Sequence, residues 1–320
     1  MKKAIFKVKK SGLLTTIQDT GRVGYQQYGI VVSGAMDSVA HRLGNLLVGN
    51  ESTAATLEVT MMGPVLQLLD DTVIAITGAD LSATIDGKAL KPWKSTYVKR
   101  GQTLSFGKPV KGVRAYIAVA GGINSQNVLG SKATYLKASM GGIDGRAVRK
   151  GDILSSGEMK SHYTQLSGRA LSPKIIPNYA NDQPFRVIVG PDERAFTERG
   201  LATFFSESYD ITREVDRMGC RLSGPIIEHR GDADILSDAI TVGTIQVPAS
   251  GQPIILLADR QTSGGYTRIG TVITTDIPRL VQQMPGEKIC FDQISVEDAQ
   301  QLYRRQEKNM KLLKVATNIK

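Results

Sequence analysis

The chain has 320 residues, of which 41% are hydrophobic and 22% are charged, which is enough for packed cores and predicts more than one domain. Its apolar runs are shorter than the roughly 18–20 residues that cross a membrane, so we expect no membrane segment. The two cysteines, Cys220 and Cys290, lie far apart, which argues against a disulfide framework or a zinc site and favours a cytoplasmic location.

The net charge of +10 is concentrated at the two ends of the chain. Residues 1–10 contribute five lysines without an acid, and residues 301–320 contribute the other half of the excess. A protein that binds phosphate backbones would spread basic residues over its body, together with exposed aromatic side chains. The pattern therefore argues against nucleic-acid binding and fits a solvated surface or a contact with an acidic partner.

The first half of the chain reads as short strands with one helix. Apolar residues from Met36 to Leu47 recur at helical spacing, with Ser33 as the predicted N-cap. The runs TVIAITGAD and RAYIAVAGG predict strands, and Asp86-Gly87 within LSATIDGKAL predicts a hairpin turn. Residues 161–184 are polar and rich in Pro and Asn, which favours a linker dividing the chain near residue 170.

The second half continues the strand pattern. Thr197 is a predicted cap for a short helix that ends near Phe205. FRVIVGP, TIQVPASG, PIILLADR and GTVITTD predict further strands, and a longer helix is expected to begin at Ser295, with Asp298 at the capping-box position. So many short strands are typical of sandwiches or barrels.

Several catalytic motifs are missing from the sequence. The three histidines are isolated, without HxxxH or HExxH spacing, and there is no GxSxG elbow. Gly29 and Gly34 have the spacing of a phosphate-binding P-loop, but Ala35 and Met36 stand where its lysine and hydroxyl residue belong. The Ala-Met-Lys-Met sequence of a biotin carrier is also absent.

Three acid–arginine pairs lie beside glycines, in QDTGR (18–22), VDR (215–217) and ADR (258–260). Arginine offers a planar set of donors to carboxylate or phosphate, and aspartate can position it or accept a proton. After the third pair come Gly264 and Gly265, interpreted as a flexible close backbone approach, and then Tyr266. The alternative is a set of exposed ion pairs, each contributing about 0–1 kcal/mol.

The turn SGAMD leads into a predicted helix, whose N-terminus would stabilise an anion, although an ordinary capped helix explains the same pattern. Glu58, Asp80 and Asp238 are acids that either face solvent or line a pocket. The spacing leaves these alternatives open.

Taken together, QDTGRVGYQQYGIVVSGAMD, LEVTMMGP, VLGSKATYL, GGIDGRAVRKGD, VDRMGCRLSGP, LSDAITVGTIQVP and LLADRQTSGGY resemble one family. It is the biotin-dependent carboxyltransferase subunit family, also called allophanate hydrolase subunit 2, whose bacterial stand-alone members include the C component of 5-oxoprolinase and the KipI antagonist. The resemblance covers roughly residues 5–295.

The resemblance implies a mainly β fold with two cyclophilin-like β-barrel domains, a few short helices and a C-terminal helix. We expect an N-terminal domain over residues 1–170, a C-terminal domain over 171–300 and a basic helical tail over 301–320.

It also implies a component of ATP-dependent 5-oxoprolinase, which converts 5-oxo-L-proline to L-glutamate together with two partner proteins, the KipI-type PxpB and PxpA. ATP with Mg²⁺ would act at the level of the complex, and this chain would carry no covalent biotin. The alternatives are a regulatory protein that antagonises a KipI-type kinase inhibitor, and a carboxyltransferase component of a urea-carboxylase-like assembly.

The resemblance also implies a set of site residues. The implied catalytic residues are Asp259, Arg260, Asp19 and Arg22. The implied substrate-binding residues are Tyr25, Gln26, Ser33, Asp37, Glu58, Asp80, Arg217, Asp238, Gln246, Gly264, Gly265 and Tyr266. Gln26 departs from the pattern, because many relatives have arginine at that position.

Overall fold

The computed structural model describes residues 3–158 and 162–317. It confirms a mainly β protein, with 35% strand, 19% helix, a nearly closed barrel sheet and a C-terminal helix. The strands are β1 (Lys3–Lys10), β2 (Leu14–Gln18), β3 (Thr56–Thr60), β4 (Val65–Leu68), β5 (Thr72–Asp80), β6 (Thr84–Ile85), β7 (Lys88–Ala89), β8 (Ser95–Val98), β9 (Thr103–Ser105), β10 (Lys111–Val119), β11 (Ile123–Asn124), β12 (Ile153–Ser156), β13 (Phe185–Val189), β14 (Tyr209–Val215), β15 (Gly219–Ser223), β16 (Asp234–Ala239), β17 (Thr244–Gln246), β18 (Ile254–Leu256), β19 (Ser263–Tyr266), β20 (Arg268–Val272), β21 (Lys288–Ile289) and β22 (Phe291–Gln293). The helices are α1 (Ser38–Leu47), α2 (Tyr163–Leu166), α3 (Glu198–Ser206), α4 (Ile277–Leu280) and α5 (Val296–Thr317).

The chain forms two compact units. Unit 1 comprises the described parts of residues 1–22, 33–178 and 311–320, and unit 2 comprises residues 23–32 and 179–310. Within unit 1, one sheet has the strand order β11-β12-β1-β4-β9-β6-β7 and the other has the order β2-β3-β10-β5-β8.

Strand β5 shows why its sequence is a continuous apolar run. Ile74 and Ile76 join the main core of unit 1, while Val73 and Ala75 pack in a second cluster with Leu47 of α1. Both faces of the strand are therefore buried, and the alternation of apolar and polar residues seen in half-exposed strands is lost.

The start of α1 differs from the sequence prediction. The sequence predicts Ser33 as the cap, but the cap is Asp37, whose side chain accepts a hydrogen bond of 2.8 Å from the backbone N–H of Ala40. Ser33 instead has a φ of 58° and Gly34 a φ of 89°, so the chain makes a left-handed turn before the helix begins.

Other local predictions for unit 1 can be compared directly with the structure. The turn at Asp86 and Gly87 is confirmed, since both residues have positive φ (49° and 78°) between β6 and β7, as a type I′ turn requires. In the stretch predicted as a linker, α2 packs against unit 1 through Leu166, which is buried, and through Tyr163, which stacks on Tyr97.

Unit 2 contains a sheet with the order β21-β14-β15-β18-β17-β20-β13-β22 and a separate hairpin of β16 and β19. Two helices, α3 and α5, begin as predicted. The hydroxyl of Thr197 accepts from the N–H of Gly200 at 2.9 Å to cap α3, and Ser295 and Asp298 bond to each other at the start of α5. Among the described residues, no helix is long and apolar enough to span a membrane.

Candidate functional site

The implied site residues divide between the two units. Those in unit 1 are Asp19, Arg22, Ser33, Asp37, Glu58 and Asp80. Those in unit 2 are Tyr25, Gln26, Arg217, Asp238, Gln246, Asp259, Arg260, Gly264, Gly265 and Tyr266.

In unit 2, Asp259 pairs with Arg217 and not, as the sequence suggests, with its neighbour Arg260. Arg217 donates from Nε and Nη2 to the two carboxylate oxygens of Asp259, at 2.9 Å each. Both side chains are buried, and the backbone N–H of Asp259 also donates to the carbonyl of Arg217 at 2.7 Å. The segments after β14 and after β18 are thereby locked together by a two-bond ion pair.

Arg260, next in sequence, has a different environment. It is 6% exposed, and its Nε donates to the backbone carbonyl of Ile240 at 3.3 Å. Within the part of the chain that the structure describes, no carboxylate forms an ion pair with it. Burial lowers the pKa of its guanidinium. A buried cation without a counter-ion is costly unless a ligand supplies the negative charge, so Arg260 is suited to binding an anion.

The segment after Arg260, whose glycines the sequence suggested as a flexible close backbone approach, forms the hairpin strand β19. Gly264 lies opposite Asp238 of β16, and Gly265 follows within the same strand. A Cβ on Gly264 would lie 2.5 Å from Nε2 of Gln246. Glycine at this position therefore allows the close approach of the Gln246 side chain, which would have to shift for any larger residue.

Polar side chains surround this hairpin. Gln246 is buried and donates to the carbonyl of Tyr266 at 3.2 Å, while Tyr266 is 41% exposed. Asp238 accepts a bond of 2.8 Å from Nη1 of Arg268, which also binds Asp192. Arg268, a residue not anticipated from the sequence, thus ties the hairpin to β20.

In unit 1, Asp19 and Arg22 do not pair with each other. The carboxylate of Asp19 accepts from the hydroxyl of Ser131 at 2.7 Å and from the N–H of Lys132 at 2.6 Å. Nη2 of Arg22 donates to the carbonyl of Ala133. Both side chains are buried, and both hold the same short segment of chain.

Glu58 and Asp37 come together at the start of α1. Oε2 of Glu58 accepts from the N–H of Met36 at 2.9 Å and from the hydroxyl of Tyr116 at 2.8 Å. The same hydroxyl accepts from the N–H of Asp37 at 2.7 Å. Burial and the neighbouring carboxylate of Glu58 raise the pKa of Tyr116, so it remains a neutral donor.

Three implied residues make side-chain or turn contacts close to their own positions in the chain. Asp80 accepts from the N–H of Ser82 in its own turn at 2.9 Å. Tyr25 and Gln26 begin the single 3-10 turn Gln26–Tyr28, which ends at Gly29 with a φ of 75°. Neither of these two side chains is fully buried.

Comparison with known proteins identifies the family. A model described as "Carboxyltransferase domain, subdomain A and B" matches residues 28–293. The chain belongs to this carboxyltransferase family. It is 37% identical over 295 residues to the C component of the 5-oxoprolinase of Escherichia coli, covering 92% of this chain and 93% of that protein.

Larger proteins contain the same domain. The urea amidolyase of Saccharomyces cerevisiae is 33% identical over 319 residues, but the match spans 17% of that protein. The solved structure of the K. lactis urea amidolyase superposes with a TM-score of 0.91 and 31% identity, over 98% of this chain and 20% of that one.

Some residues that contact the implied site residues were not anticipated from the sequence. Tyr116 lies in the middle of β10, where the sequence indicated only an apolar strand. Ser131 and Thr134 lie in VLGSKATYL, a motif that carried the resemblance without naming a site residue. The signal in the sequence was the presence of Ser and Thr within that motif. Both hydroxyl residues are buried, and buried hydroxyls are held by specific hydrogen bonds.

The family resemblance implies Mg²⁺ with ATP. The side chains that could bind a metal ion show whether this chain has a metal site of its own. Among the described residues, no group of three or more His, Cys, Asp or Glu side chains is arranged to hold a metal ion. The carboxylates of Asp19 and Asp259 already accept hydrogen bonds from Ser131 and Arg217. The described residues therefore form no dedicated metal cage, whereas Mg²⁺ that binds with ATP needs only one or two carboxylates beside the phosphates.

Proposed function

We propose that this chain is the C component of an ATP-dependent 5-oxoprolinase and that it acts together with the KipI-type partner PxpB and the partner PxpA. The assembly would open the lactam ring of 5-oxo-L-proline to give L-glutamate. The proposal is supported by the match to the corresponding E. coli 5-oxoprolinase component, which spans 93% of that protein.

The observation that carries the chemistry is the buried guanidinium of Arg260, which no carboxylate of the described chain neutralises. 5-Oxoproline carries a carboxylate and ATP carries phosphates, so both present an anion to the protein. A buried arginine binds such groups with charge-assisted hydrogen bonds that water does not weaken. Arg260 is proposed as the anion-binding residue of unit 2.

The Arg217–Asp259 pair has a positioning role in this proposal. Because Asp259 is neutralised by Arg217, its charge is not available to Arg260. The N–H of Arg260 donates to the carbonyl of Leu257 at 3.2 Å, and the N–H of Leu257 to that of Met218 at 2.8 Å. The backbone that carries Arg260 is thus fixed before an anion binds, which lowers the entropic cost of binding.

ATP with Mg²⁺ belongs to the complex in this proposal. MgATP would supply the phosphoryl group that activates the stable amide carbonyl toward water. This chain would contribute arginine donors for the substrate carboxylate or the phosphates, and no covalent biotin. We also propose a cytoplasmic location, since neither Cys220 nor Cys290 takes part in a disulfide among the described residues.

Reconstitution tests the proposal. Purified PxpA and PxpB should release L-glutamate from 5-oxo-L-proline with ATP only when this chain is added. Arg260→Ala should lower turnover by about 100-fold or more, as expected for loss of a buried charged contact. Arg221→Ala is the matched control, because Arg221 lies in the same unit and is paired with Glu214 at the surface.

Two other outcomes identify the alternatives. Equal glutamate release without this chain would refute the enzymatic role. If the chain then binds PxpB with an affinity that Arg260→Ala leaves unchanged, the regulatory role is favoured. Transfer of a carboxyl group to urea from a separate biotinylated carrier would favour the activity of the urea amidolyase relatives.

A further inference from the structure

The segment Ser131–Thr134 of unit 1 is held by four buried side chains, those of Asp19, Arg22, Ser33 and Gln18. At its start, Asp19 accepts from the hydroxyl of Ser131 at 2.7 Å and from the N–H of Lys132 at 2.6 Å. The hydroxyl of Ser131 also accepts from the N–H of Ala133 at 3.0 Å. One carboxylate thus orders three consecutive residues.

The other end of the segment is fixed in the same manner. Arg22 donates to the carbonyl of Ala133. The carbonyl of Thr134 accepts from the hydroxyl of Ser33 at 3.1 Å and from Nε2 of Gln18 at 3.0 Å. All three donor side chains are at most 6% exposed.

Two glycines close the remaining side of the segment. A Cβ on Gly141 would overlap the carbonyl of Ala133, and a Cβ on Gly142 would overlap the hydroxyl of Thr134. The N–H of Gly142 also donates to the carbonyl of Lys132 at 2.9 Å. The segment is therefore packed directly against backbone as well as hydrogen-bonded.

Lys132 is the exception within this segment. Ser131, Ala133 and Thr134 are buried, but Lys132 is half-buried. Its backbone is fixed at both the N–H and the carbonyl, while its ammonium group forms no hydrogen bond or ion pair within residues 3–158 and 162–317. A half-buried lysine can bury its methylene stem while its ammonium group stays accessible to a ligand. A rigid backbone is a feature of preorganised binding residues.

We propose that Lys132 is an additional anion-binding residue of this protein, and that Asp19, Arg22 and Ser33 are positioning residues that act through it. The anion is a carboxylate or a phosphate, the chemistry that 5-oxoproline and ATP share. This inference rests on the proposed function. It changes the role of Asp19 and Arg22 from the implied catalytic one to support of the Ser131–Thr134 segment.

The test compares Lys132→Ala and Lys132→Arg with Lys137→Ala, an exposed lysine five residues further along the chain. In the reconstituted assembly, Lys132→Ala should lower kcat/KM by about 10- to 100-fold, the usual range for a hydrogen bond to a charged group. Lys132→Arg should recover part of the loss, and Lys137→Ala should match the wild type. A raised KM for 5-oxo-L-proline assigns the carboxylate, and a raised KM for ATP assigns the phosphate.

The positioning role needs a separate measurement. Asp19→Asn should reduce kcat/KM in the wild-type chain but should cost little more once Lys132 is alanine, because both changes remove the same contact. Additive losses would show that Asp19 acts independently of Lys132. Unfolding midpoints measured for every variant separate this effect from loss of the fold.

The failure of this inference is distinguishable from failure of the proposed function. An active wild-type assembly in which Lys132→Ala is equally active overturns the inference alone. An inactive wild-type assembly removes the proposed function. The inference is then decided by calorimetry on the isolated chain with 5-oxo-L-proline and inorganic phosphate. Weaker binding by Lys132→Ala supports it, while equal binding, or none by either chain, overturns it.

Discussion

Asp259 accepts two hydrogen bonds of 2.9 Å from Arg217, whereas its sequence neighbour Arg260 donates only to the backbone carbonyl of Ile240 within the described chain. Two buried arginines of unit 2 therefore differ in whether a carboxylate compensates their charge. Arg217 is neutralised by Asp259, and no carboxylate of the described chain neutralises Arg260. This difference predicts opposite effects of removing each guanidinium.

Arg217→Met should destabilise the fold. The substitution leaves the carboxylate of Asp259 buried without its arginine, and breaking a buried pair in this way costs about 3–5 kcal/mol. Urea denaturation followed by circular dichroism should show a clearly lower midpoint. Arg221→Met, which removes an exposed arginine, is the control, and a midpoint equal to that of the control would contradict the structural role of the pair.

Gly264→Ala should lower glutamate release by the reconstituted assembly more than it lowers the free energy of unfolding. The new Cβ would lie 2.5 Å from Nε2 of Gln246, so the end of this buried side chain must move and lose its bond to the carbonyl of Tyr266. The cost in stability should be about 1 kcal/mol, typical of one hydrogen bond. A Cβ at Gly231 would meet nothing within 4 Å among the described residues. Gly231→Ala is therefore the matched control, and equal turnover by the two variants would remove Gln246 from the site.

His41 should make the stability of the chain depend on pH. Burial lowers the pKa of His41 from 6.5 to about 4, so it stays neutral in the folded state while the unfolded chain takes up a proton below pH 6.5. The unfolded state then binds more protons, so stability is lost as the pH falls from 6.5 to 4. The full effect is about 3 kcal/mol, from 1.36 kcal/mol per unit of pKa shift.

Urea midpoints at pH 7.5 and pH 4.5 measure this effect. His41→Gln removes the titrating group, and the difference between the two midpoints should shrink in that variant. The pKa of Asp152 is lowered mainly by its hydrogen bond from Arg146. Its contribution to the stability of the fold is therefore lost only below pH 3.8, outside the range of this measurement. An unchanged difference between the midpoints in His41→Gln would contradict the assignment to His41.

Local sequence patterns predicted much of the fold. The Asp86-Gly87 turn and the Thr197 cap of α3 are determined by neighbours within a few residues, and the strand β5 is visible as an apolar run. The structure confirms all three. The predicted cap of α1 was wrong. Ser33 and Asp37 are both acceptable caps by residue type, so the residue types alone do not distinguish them. The choice depends on a left-handed turn at Ser33, whose hydroxyl bonds to the distant Thr134.

The residue types of the candidate site could be predicted from the sequence, but their pairing could not. Asp259 and Arg260 are adjacent in sequence, yet strand pairing of β15 with β18 brings Arg217 to the carboxylate. Asp19 similarly bonds to residues 112 and 113 positions away. Contacts of this kind depend on sheet register, which residue spacing along one strand does not contain.

The most direct test of the central claim is Arg260→Met, assayed for turnover and for stability in parallel. Methionine keeps much of the side-chain volume and removes a buried charge that no carboxylate of the described chain compensates. We expect glutamate release by the reconstituted assembly to fall about 100-fold or more, with a urea midpoint equal to or above that of the wild type. Wild-type turnover in this variant, or a midpoint as low as that of Arg217→Met, would contradict the anion-binding role of Arg260.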